Sequence, residues 1–214
     1  MARTPLTRER IVDAAMDLAD EVGLEAPSMR KLGDRLGVEA MSLYNHVANK
    51  DDLLDGMADA FMASIDIPSP GDEWKEAMRL RANSAREQFA RHRWALSLVE
   101  SRPNAGFETI RYHDAIIGVL REAGFSIEMT AHAFALLDAF IFGFALQERN
   151  IPVEGPEEVG ELAAQMMAAL PMDQLPHFAE FVTEHALQPG YDFGDEFAWG
   201  LEAVLDQLEH RAFG

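Results

Sequence analysis

The sequence predicts an all-α protein of 214 residues. Apolar side chains recur at three- and four-residue spacing along most of the chain, as on the buried face of an amphipathic helix. Glycine, proline and helix-capping residues interrupt this pattern at intervals typical of helix lengths. No stretch shows the strict alternation of apolar and polar residues that a half-buried strand requires. We therefore expect about nine or ten helices and no β-sheet.

The first two helices are predicted from their capping residues. A helix from about Thr7 to Val22 has Thr7 as its N-cap, and Gly23 ends it. The second helix starts at Ser28 and ends before Gly37, which can adopt the left-handed backbone of a tight turn. The apolar residues expected to face the core are Ile11, Ala14, Ala15, Leu18, Val22, Met29, Leu32 and Leu36.

The third and fourth helices follow the turn closely. The third is predicted over 39–46, with Leu43 and Val47 turned inward, and the fourth over 50–64, with Asn49 as its N-cap. The proline- and glycine-containing segment 66–71 is the clearest linker. We divide the chain into a small N-terminal domain, residues 1–50, and a larger C-terminal domain, residues 51–214.

The C-terminal domain is predicted to be helical throughout. A break is expected at Arg102-Pro103-Asn104, and a loop is expected over 150–156. The predicted helices span residues 72–92, 94–101, 105–123, 126–149, 156–170, 172–187 and 193–211. The helix over 126–149 is apolar on nearly all sides, so it must be buried on more than one face.

The charge is distributed very unevenly. The net charge is −19, but residues 1–50 carry 7 basic and 8 acidic residues, whereas residues 51–214 carry 11 basic and 29 acidic residues. Residues 28–50 have a positive balance, and Arg3, Arg8 and Arg10 add bases upstream. Four acids of the first helix share one stripe that can point away from a phosphate backbone: Asp13, Asp17, Asp20 and Glu21. A nucleic-acid contact is therefore expected at the N-terminal end only.

Several classes of protein are excluded or disfavoured by composition. The chain has no cysteine, so disulfide and thiolate chemistry are excluded. The N-terminal residues have no apolar run typical of a signal peptide, and no charge-free apolar stretch reaches about 18 residues, so we expect no membrane partner. The histidines are scattered, and there is no glycine-rich phosphate loop or nucleophile elbow. We expect no enzyme activity, no cofactor and no metal site.

The segment 28–50 resembles a known family. Its sequence, SMRKLGDRLGVEAMSLYNHVANK, has the turn glycine, the Leu43-Tyr44 pair, His46 and Lys50 in register with the DNA-binding domain of the TetR family of repressors. This match covers residues 5–60. A weaker resemblance to the regulatory domain of the tetracycline-repressor branch covers the rest of the chain, at Gly124-Phe125-Ser126, Phe142-Gly143, Leu175-Pro176-His177 and Phe193-Gly194. The resemblance implies a cytoplasmic, nucleoid-associated bacterial homodimer. It would bind palindromic operator DNA and release it when a small molecule occupies the C-terminal domain.

The second helix of a helix-turn-helix enters the major groove with its N-terminal residues against base edges. Ser42 and Asn45 can hydrogen-bond to bases, whereas Ala40 and Met41 offer apolar contacts only. We expect Arg30 to contact guanine. By resemblance, Tyr44, His46 and Lys50 contact phosphates.

A ligand cavity and a dimer interface are expected from the same resemblance. The cavity is predicted to be lined by Met78, Arg81, Phe89, Leu98, Phe107, Ile110, His113, Ile117, Ala131, Phe134, Ala135, Asp138 and Phe142. Its methionine and phenylalanine content favours an apolar or aromatic effector. The dimer interface is predicted to contain Leu136, Leu137, Phe140, Phe144, Phe197, Leu201, Val204, Leu205 and Leu208.

Two alternatives remain open at this stage. The regulator could respond to a protein partner rather than a small molecule, in which case the C-terminal core would be solid. It could also activate rather than repress, which depends on the position of the operator. A magnesium–tetracycline effector is not expected, because Leu98 and Gln147 stand where that recognition would need a histidine and a carboxylate.

Overall fold

The computed structural model of the chain describes residues 5–69, 71–102, 105–151 and 155–214, and no strand occurs among them. The predicted all-α class is confirmed. The α-helices are α1 Arg8–Val22, α2 Met29–Leu36, α3 Ala40–Leu43, α4 Lys50–Ala63, α5 Trp74–Arg91, α6 Ala95–Ser101, α7 Phe107–Glu122, α8 Ile127–Asn150, α9 Gly155–Ala169, α10 Pro176–Phe181 and α11 Asp195–Phe213. The features expected at Arg3, Pro70, Pro103, Asn104 and 152–154 lie outside the described residues.

The predicted N-caps are present at three N-terminal helices. The Thr7 hydroxyl accepts the N–H of Arg10 at 3.3 Å, and the Ser28 hydroxyl accepts the N–H of Lys31 at 3.3 Å. Asn49 caps α4, since its side-chain oxygen accepts the N–H of Asp52 at 2.9 Å. Each cap satisfies an amide that the first turn of a helix leaves without a partner.

Two predicted helices differ from the structure. The third is a single α-helical turn, Ala40–Leu43, and 44–46 form turns that lead into α4. The predicted helix over 172–187 is divided into a 3-10 turn, α10 and a π-helical turn over Val182–Ala186. Pro176 accounts for the first division, because proline lacks an N–H and disfavours helical backbone at the residue before it.

The buried face of α1 is rotated slightly from the predicted one. Val22 is 62% exposed, whereas Val12 and Ala19 are buried beside the predicted Ile11 and Ala15. Position 22 continues the sequence spacing but lies on the last turn of the helix, beyond the residues that α1 buries. The buried apolar face of α1 therefore ends before Val22, one turn earlier than predicted.

The chain forms two compact units, Met1–Ala145 and Leu146–Gly214. In the first, α1 packs against α2 and α4, and α4 packs against α6 and α7. Aromatic contacts continue through this core, with ring centroids 4.8 Å apart for Phe61 and Phe89 and 5.3 Å apart for Phe89 and Phe142. This division does not coincide with the predicted boundary after residue 50, and that functional division stays a prediction.

Helix α8 is long and apolar enough to cross a membrane by length and composition alone, with a mean hydropathy of 1.7. The core helix of a soluble protein passes the same test. Asp138, in the middle of α8, forms an ion pair with Arg81 of α5. A partly buried carboxylate needs such a cationic partner, because an unpaired charge away from water is costly. The predicted absence of a membrane partner stays a prediction.

Candidate functional site: an exposed helix-turn-helix and a buried arginine cluster

Two glycines set the geometry between α2 and α3. Gly37 adopts a left-handed conformation, with φ 66° and ψ 38°, which allows the tight turn. A Cβ at Gly33 would lie 2.8 Å from the carbonyl oxygen of Val38 and 3.2 Å from the amide nitrogen of Ala40. A side chain at position 33 would therefore push the turn away from α2. Nothing in the spacing of residues marks Gly33 apart from its small size.

The helix-turn-helix presents one exposed face. Met41 is 75% exposed and Tyr44 is 46% exposed, so this face offers apolar and aromatic surface beside its polar groups. Ala40 and Ser42 are half-buried. The other residues predicted to contact DNA are also exposed, namely Arg30, Asn45, His46 and Lys50. Leu43 is fully buried beneath this face and fixes α3 on the core.

The positive charges around this face fall into two groups. Arg35 pairs with Glu21 at 2.8 Å and Asp17 at 3.5 Å, so part of the acidic stripe of α1 neutralises it. By contrast, Arg30, Lys31 and Lys50 form no ion pair within the described part of the chain. The unpaired cations lie at the starts of α2 and α4, on either side of α3.

Arg8, unlike the exposed cations, is bound by a carboxylate and joins two helices. Its guanidinium donates to both carboxylate oxygens of Asp52, at 2.7 and 3.0 Å, and to the Asp52 carbonyl at 3.1 Å. Asp52 also accepts the N–H of Ala48 at 2.7 Å. The hydrogen bond from Arg8, followed by the one from Ala48, lowers the pKa of Asp52. This pair joins the starts of α1 and α4.

An open groove of about 600 Å³ lies beside α3. It is lined by the segment preceding α1, by α1 and α2, and by the residues around the turn: Pro5, Leu6, Arg10, Leu36, Val38, Ser42, Asn45 and His46. The groove contains three of the predicted DNA-contact residues, so those side chains border a concave surface and not a flat one.

Three carboxylates tie the helix-turn-helix to the helices that follow it. Asp20 of α1 accepts from the indole N–H of Trp94 at 2.6 Å and lies 2.9 Å from Nδ1 of His92. Asp55 of α4 accepts from Nε of Arg102 at 2.6 Å. Asp59 of α4 caps α7 by accepting the amides of Glu108 and Thr109. Helix α4 is therefore held to α6 and α7 by specific polar contacts.

A buried polar group lies among α5, α7 and α8, and we call it the Arg81 cluster: Arg81, Tyr112, His113, Phe134 and Asp138. The Arg81 side chain is 1% exposed. Its Nε donates to the Tyr112 hydroxyl at 2.7 Å, and its Nη2 donates to Asp138. The ring of His113 stacks edge-on against Phe134 with centroids 5.1 Å apart. Burial raises the pKa of Tyr112 and lowers the pKa of His113, so both are neutral near pH 7.

The remaining predicted ligand residues do not share one environment. Met78, Phe89 and Leu98 are buried, and Phe142 is half-buried against Phe89. Five others lie on exposed helix faces, contrary to their predicted place in a cavity wall: Phe107, Ile110, Ile117, Ala131 and Ala135. The exposed fractions of Phe107 and Ile110 are 75% and 54%. Sequence spacing could not tell which side of α7 meets the core, because α7 carries apolar residues on both sides.

The residues predicted for the dimer interface are mostly inside the protomer. Those that are buried are Leu137, Phe144, Phe197, Leu201, Leu205 and Leu208, whereas Phe140 and Val204 are half-buried. Only Leu136 of this set is well exposed, at 43%. The exposed side of α8 includes Ala131, His132, Ala135, Leu136 and Ala139. Ala131 and Ala135 are thus exposed although predicted to face the ligand, and Leu137 and Phe144 are buried although predicted to face a partner, since an all-round apolar helix has no marked polar side to orient it. The dimer interface stays a prediction.

The C-terminal unit contains an open groove that the sequence did not predict. Its volume is about 470 Å³, and its wall is mainly apolar with amides at Gln147 and Asn150. The other lining residues are Ile151, Leu162, Ala163, Met166, Phe178, Val182, Ala186, Tyr191 and Phe193. The π-helical turn contributes Val182 and Ala186, and such turns are frequent at functional sites.

These features together define a class of protein: a DNA-binding regulator with an N-terminal helix-turn-helix and a helical C-terminal region. Residues 11–57 match the family model of bacterial regulatory proteins of the tetR family, and residues 67–212 match the tetracyclin repressor-like C-terminal domain. The chain belongs to the TetR family of transcriptional regulators. The prediction that it is not an enzyme is confirmed by this membership.

Individual relatives agree with this assignment. The chain is 30% identical over 214 residues to the transcriptional repressor DrrR1 of Streptomyces coeruleorubidus, covering 95% of this chain and 77% of that protein. It is 31% identical over 213 residues to the class C tetracycline repressor of Escherichia coli, covering 95% and 91%. The structure of ActR from Streptomyces coelicolor in complex with actinorhodin superposes with a TM-score of 0.80 at 30% identity, over 98% of each chain.

The predicted function, a ligand-responsive transcriptional repressor, agrees with these relatives. They give no support to the alternative of a protein partner. Regulators of this family are cytoplasmic DNA-binding proteins, so the predicted cytoplasmic location follows from family membership.

Proposed function

We propose that this protein binds a palindromic operator as a homodimer through α2 and α3, and that a small apolar or aromatic effector releases it. One observation carries the DNA-binding part of the proposal. The exposed face of α3 is flanked by three cations without ion-pair partners in the described ranges, Arg30, Lys31 and Lys50. A side chain without a carboxylate partner is available to replace counterions on DNA.

The residues divide by role according to their position. Lys50 is the first residue of α4, where free amides and the helix dipole already favour a phosphate, and Tyr44 and His46 lie beside it in the chain. Arg30, Ser42 and Asn45 are the proposed base contacts, with Ala40 and Met41 in apolar contact with a thymine methyl. Phosphate contacts set the position on the duplex, and base contacts select the sequence.

The homodimer is proposed to use the exposed side of α8, which includes Leu136 of the predicted interface. Three alanines recur there at four-residue spacing, Ala131, Ala135 and Ala139, and all are exposed in the protomer. Small side chains at this spacing allow a second helix to approach closely. Two reading helices related by a two-fold axis would then have to lie about 34–36 Å apart to enter successive major grooves.

Release is proposed to act through α4. In α4, Asp55 binds Arg102 and Asp59 binds the amides at the start of α7. A shift of α6 or α7 on effector binding would therefore move α4 and, with it, α3, the helix proposed to read the DNA. Effector binding must then favour a dimer in which the two reading helices no longer match the groove spacing. While it is bound to its operator, the protein is proposed to be associated with the nucleoid.

The experiment that tests the function starts with selection of bound DNA from a random duplex library. A palindromic consensus with half-sites one helical turn apart is the expected result. Mobility shifts over a range of salt concentrations then compare the wild type with Lys50→Ala, which should lower the salt slope by about 2, because each protomer of the dimer loses one phosphate contact. Arg35→Ala is the matched control, because Arg35 is already neutralised by Glu21 and should leave the slope unchanged. Recovery of no enriched sequence would contradict the proposal.

A further inference from the structure

One buried polar atom has no hydrogen-bond partner. Among the described residues, Nη1 of Arg81 is the single buried side-chain nitrogen or oxygen in this condition. Burying a charged donor without an acceptor is costly, and such atoms are rare in native proteins. The atom belongs to a side chain that is 1% exposed. A partner from outside the chain would remove this cost.

The orientation of the Arg81 guanidinium is set by its other contacts. Nε donates to Tyr112 and Nη2 to Asp138, and the Cζ atom lies 5.2 Å from the ring centroid of Tyr112 and 6.0 Å from that of Phe134. These four contacts hold the planar group in one position, so the direction of the Nη1 N–H bonds is fixed in advance. A preorganised donor of this kind is selective for an acceptor at one place.

The charge of the Arg81 cluster decides what kind of acceptor it suits. Asp138 already balances the positive charge of Arg81, while Tyr112 and His113 are neutral near pH 7. A carboxylate or phosphate would add a second buried anion with no further cation to offset it. An uncharged oxygen satisfies the free N–H without this penalty, and a carbonyl is the strongest common acceptor of that type.

The half-buried edge of the cluster holds two aromatic rings and the Asp138 carboxylate. His113, Phe134 and Asp138 are half-buried, whereas Arg81 and Tyr112 are fully buried, so a ligand would approach from the side of the first three. The edge-to-face pair of His113 and Phe134 offers ring surfaces against which a planar molecule can pack. Apolar walls with a few converging polar groups are typical of small-molecule sites.

We propose that the Arg81 cluster recognises the effector, and that the effector is an uncharged aromatic molecule whose carbonyl oxygen accepts a hydrogen bond from Nη1 of Arg81. This inference rests on the proposed function, because it assumes a small-molecule effector, and it adds the chemical class. A purely structural ion pair would explain the contacts of Arg81 with Asp138 and Tyr112 but leaves Nη1 without a role.

The test compares two probes of the same shape on the purified full chain without DNA. Fluorenone carries a ring carbonyl, and fluorene has a CH₂ group in its place. We expect wild-type protein to bind fluorenone at least about tenfold more tightly by titration calorimetry, the effect of one hydrogen bond to a charged group. Arg81→Lys, which keeps the charge but loses the planar fork, should bring the ratio of the two affinities close to one.

The ratio within each variant separates recognition from folding, because a loss of stability affects both probes alike. Arg79→Met is the matched control: Arg79 lies two residues away on α5, pairs with Glu76 at 2.8 Å, and should leave the ratio unchanged. Equal affinities in the wild type, a ratio unaffected by Arg81→Lys, or failure of both probes to bind would overturn the proposal. Preference for fluorene-9-carboxylate over fluorenone would overturn the uncharged class.

Operator binding is measured on the same preparation. If the selected operator is bound but the two probes bind equally, the inference about the effector fails and the proposed function stands. If no operator is bound, the proposed function fails, whatever the probes do. The two failures are thus distinguished by one set of samples.

Discussion

The helix-turn-helix and the Arg81 cluster use positive charge in opposite ways. Around α3, Arg30 and Lys50 are exposed and carry no ion pair within the described residues. In the cluster, Arg81 is fully buried and bound by Tyr112 and Asp138. Exposure therefore decides what a cation can do in this protein. Water solvates an exposed cation until a phosphate replaces it, whereas a buried cation must find its partners inside the protein.

The largest expected effect is on stability and comes from the buried charge. Arg81→Met should lower the free energy of unfolding by about 3–5 kcal/mol, because it leaves the Asp138 carboxylate without its cation. Urea unfolding measures the change. The double variant Arg81→Met/Asp138→Leu should recover part of the loss, since neither charge then remains. A loss below about 1 kcal/mol for the single variant would mean that the pair is effectively solvated.

Substitution of an exposed cation should weaken DNA binding but leave the stability of the fold almost unchanged. Lys50→Ala is expected to change the free energy of unfolding by less than about 0.5 kcal/mol, because the side chain is exposed and has no ion-pair partner in the described ranges. Its affinity for operator DNA should fall about tenfold at moderate salt. Thermal unfolding and a mobility shift on one protein sample check both halves. A Lys50→Ala variant with lower stability and unchanged DNA affinity would contradict the proposed phosphate contact.

Asp59 is an intermediate case, since it is a half-buried carboxylate that connects two helices. Asp59→Ala should cost about 1 kcal/mol of stability, the usual effect of removing a helix N-cap, because the amides of Glu108 and Thr109 lose their acceptor. Urea unfolding checks the value. Asp51→Ala is a suitable control on the same helix, because the Asp51 side chain is 80% exposed, and it should have little effect.

The smallest effect concerns the Arg8–Asp52 pair and depends on pH. The pKa of Asp52 is lowered in the folded protein from its ordinary value of 3.8, chiefly by the hydrogen bond from Arg8. The pair therefore stabilises the fold above that value and loses its effect as the pH falls through the lowered pKa. Arg8→Met should cost up to about 1 kcal/mol at pH 7, because the pair is partly exposed. In acid the difference in the free energy of unfolding between Arg8→Met and the wild type should disappear. Unfolding curves at several pH values measure this difference, and its persistence in acid would contradict the prediction.

The N-terminal half of the molecule was largely predictable because its signals are local. Thr7, Ser28 and Asn49 cap helices within three residues of themselves, and Gly37 occupies a backbone conformation that its own neighbours require. Such features depend on sequence spacing alone. The reading surface followed from them, because a short turn fixes the direction of α3 relative to α2.

Sequence spacing alone was enough to predict the helical class, the helix-turn-helix and the separation of basic and acidic regions, because periodicity, caps and charge are properties of short segments. Packing of the folded chain sets which sides of α7 and α8 are exposed. It also brings Arg81 to Tyr112 and Asp138, which lie 31 and 57 residues away in the chain. A helix that is apolar all round can bury either side at similar cost, so its orientation is fixed by packing against its neighbours.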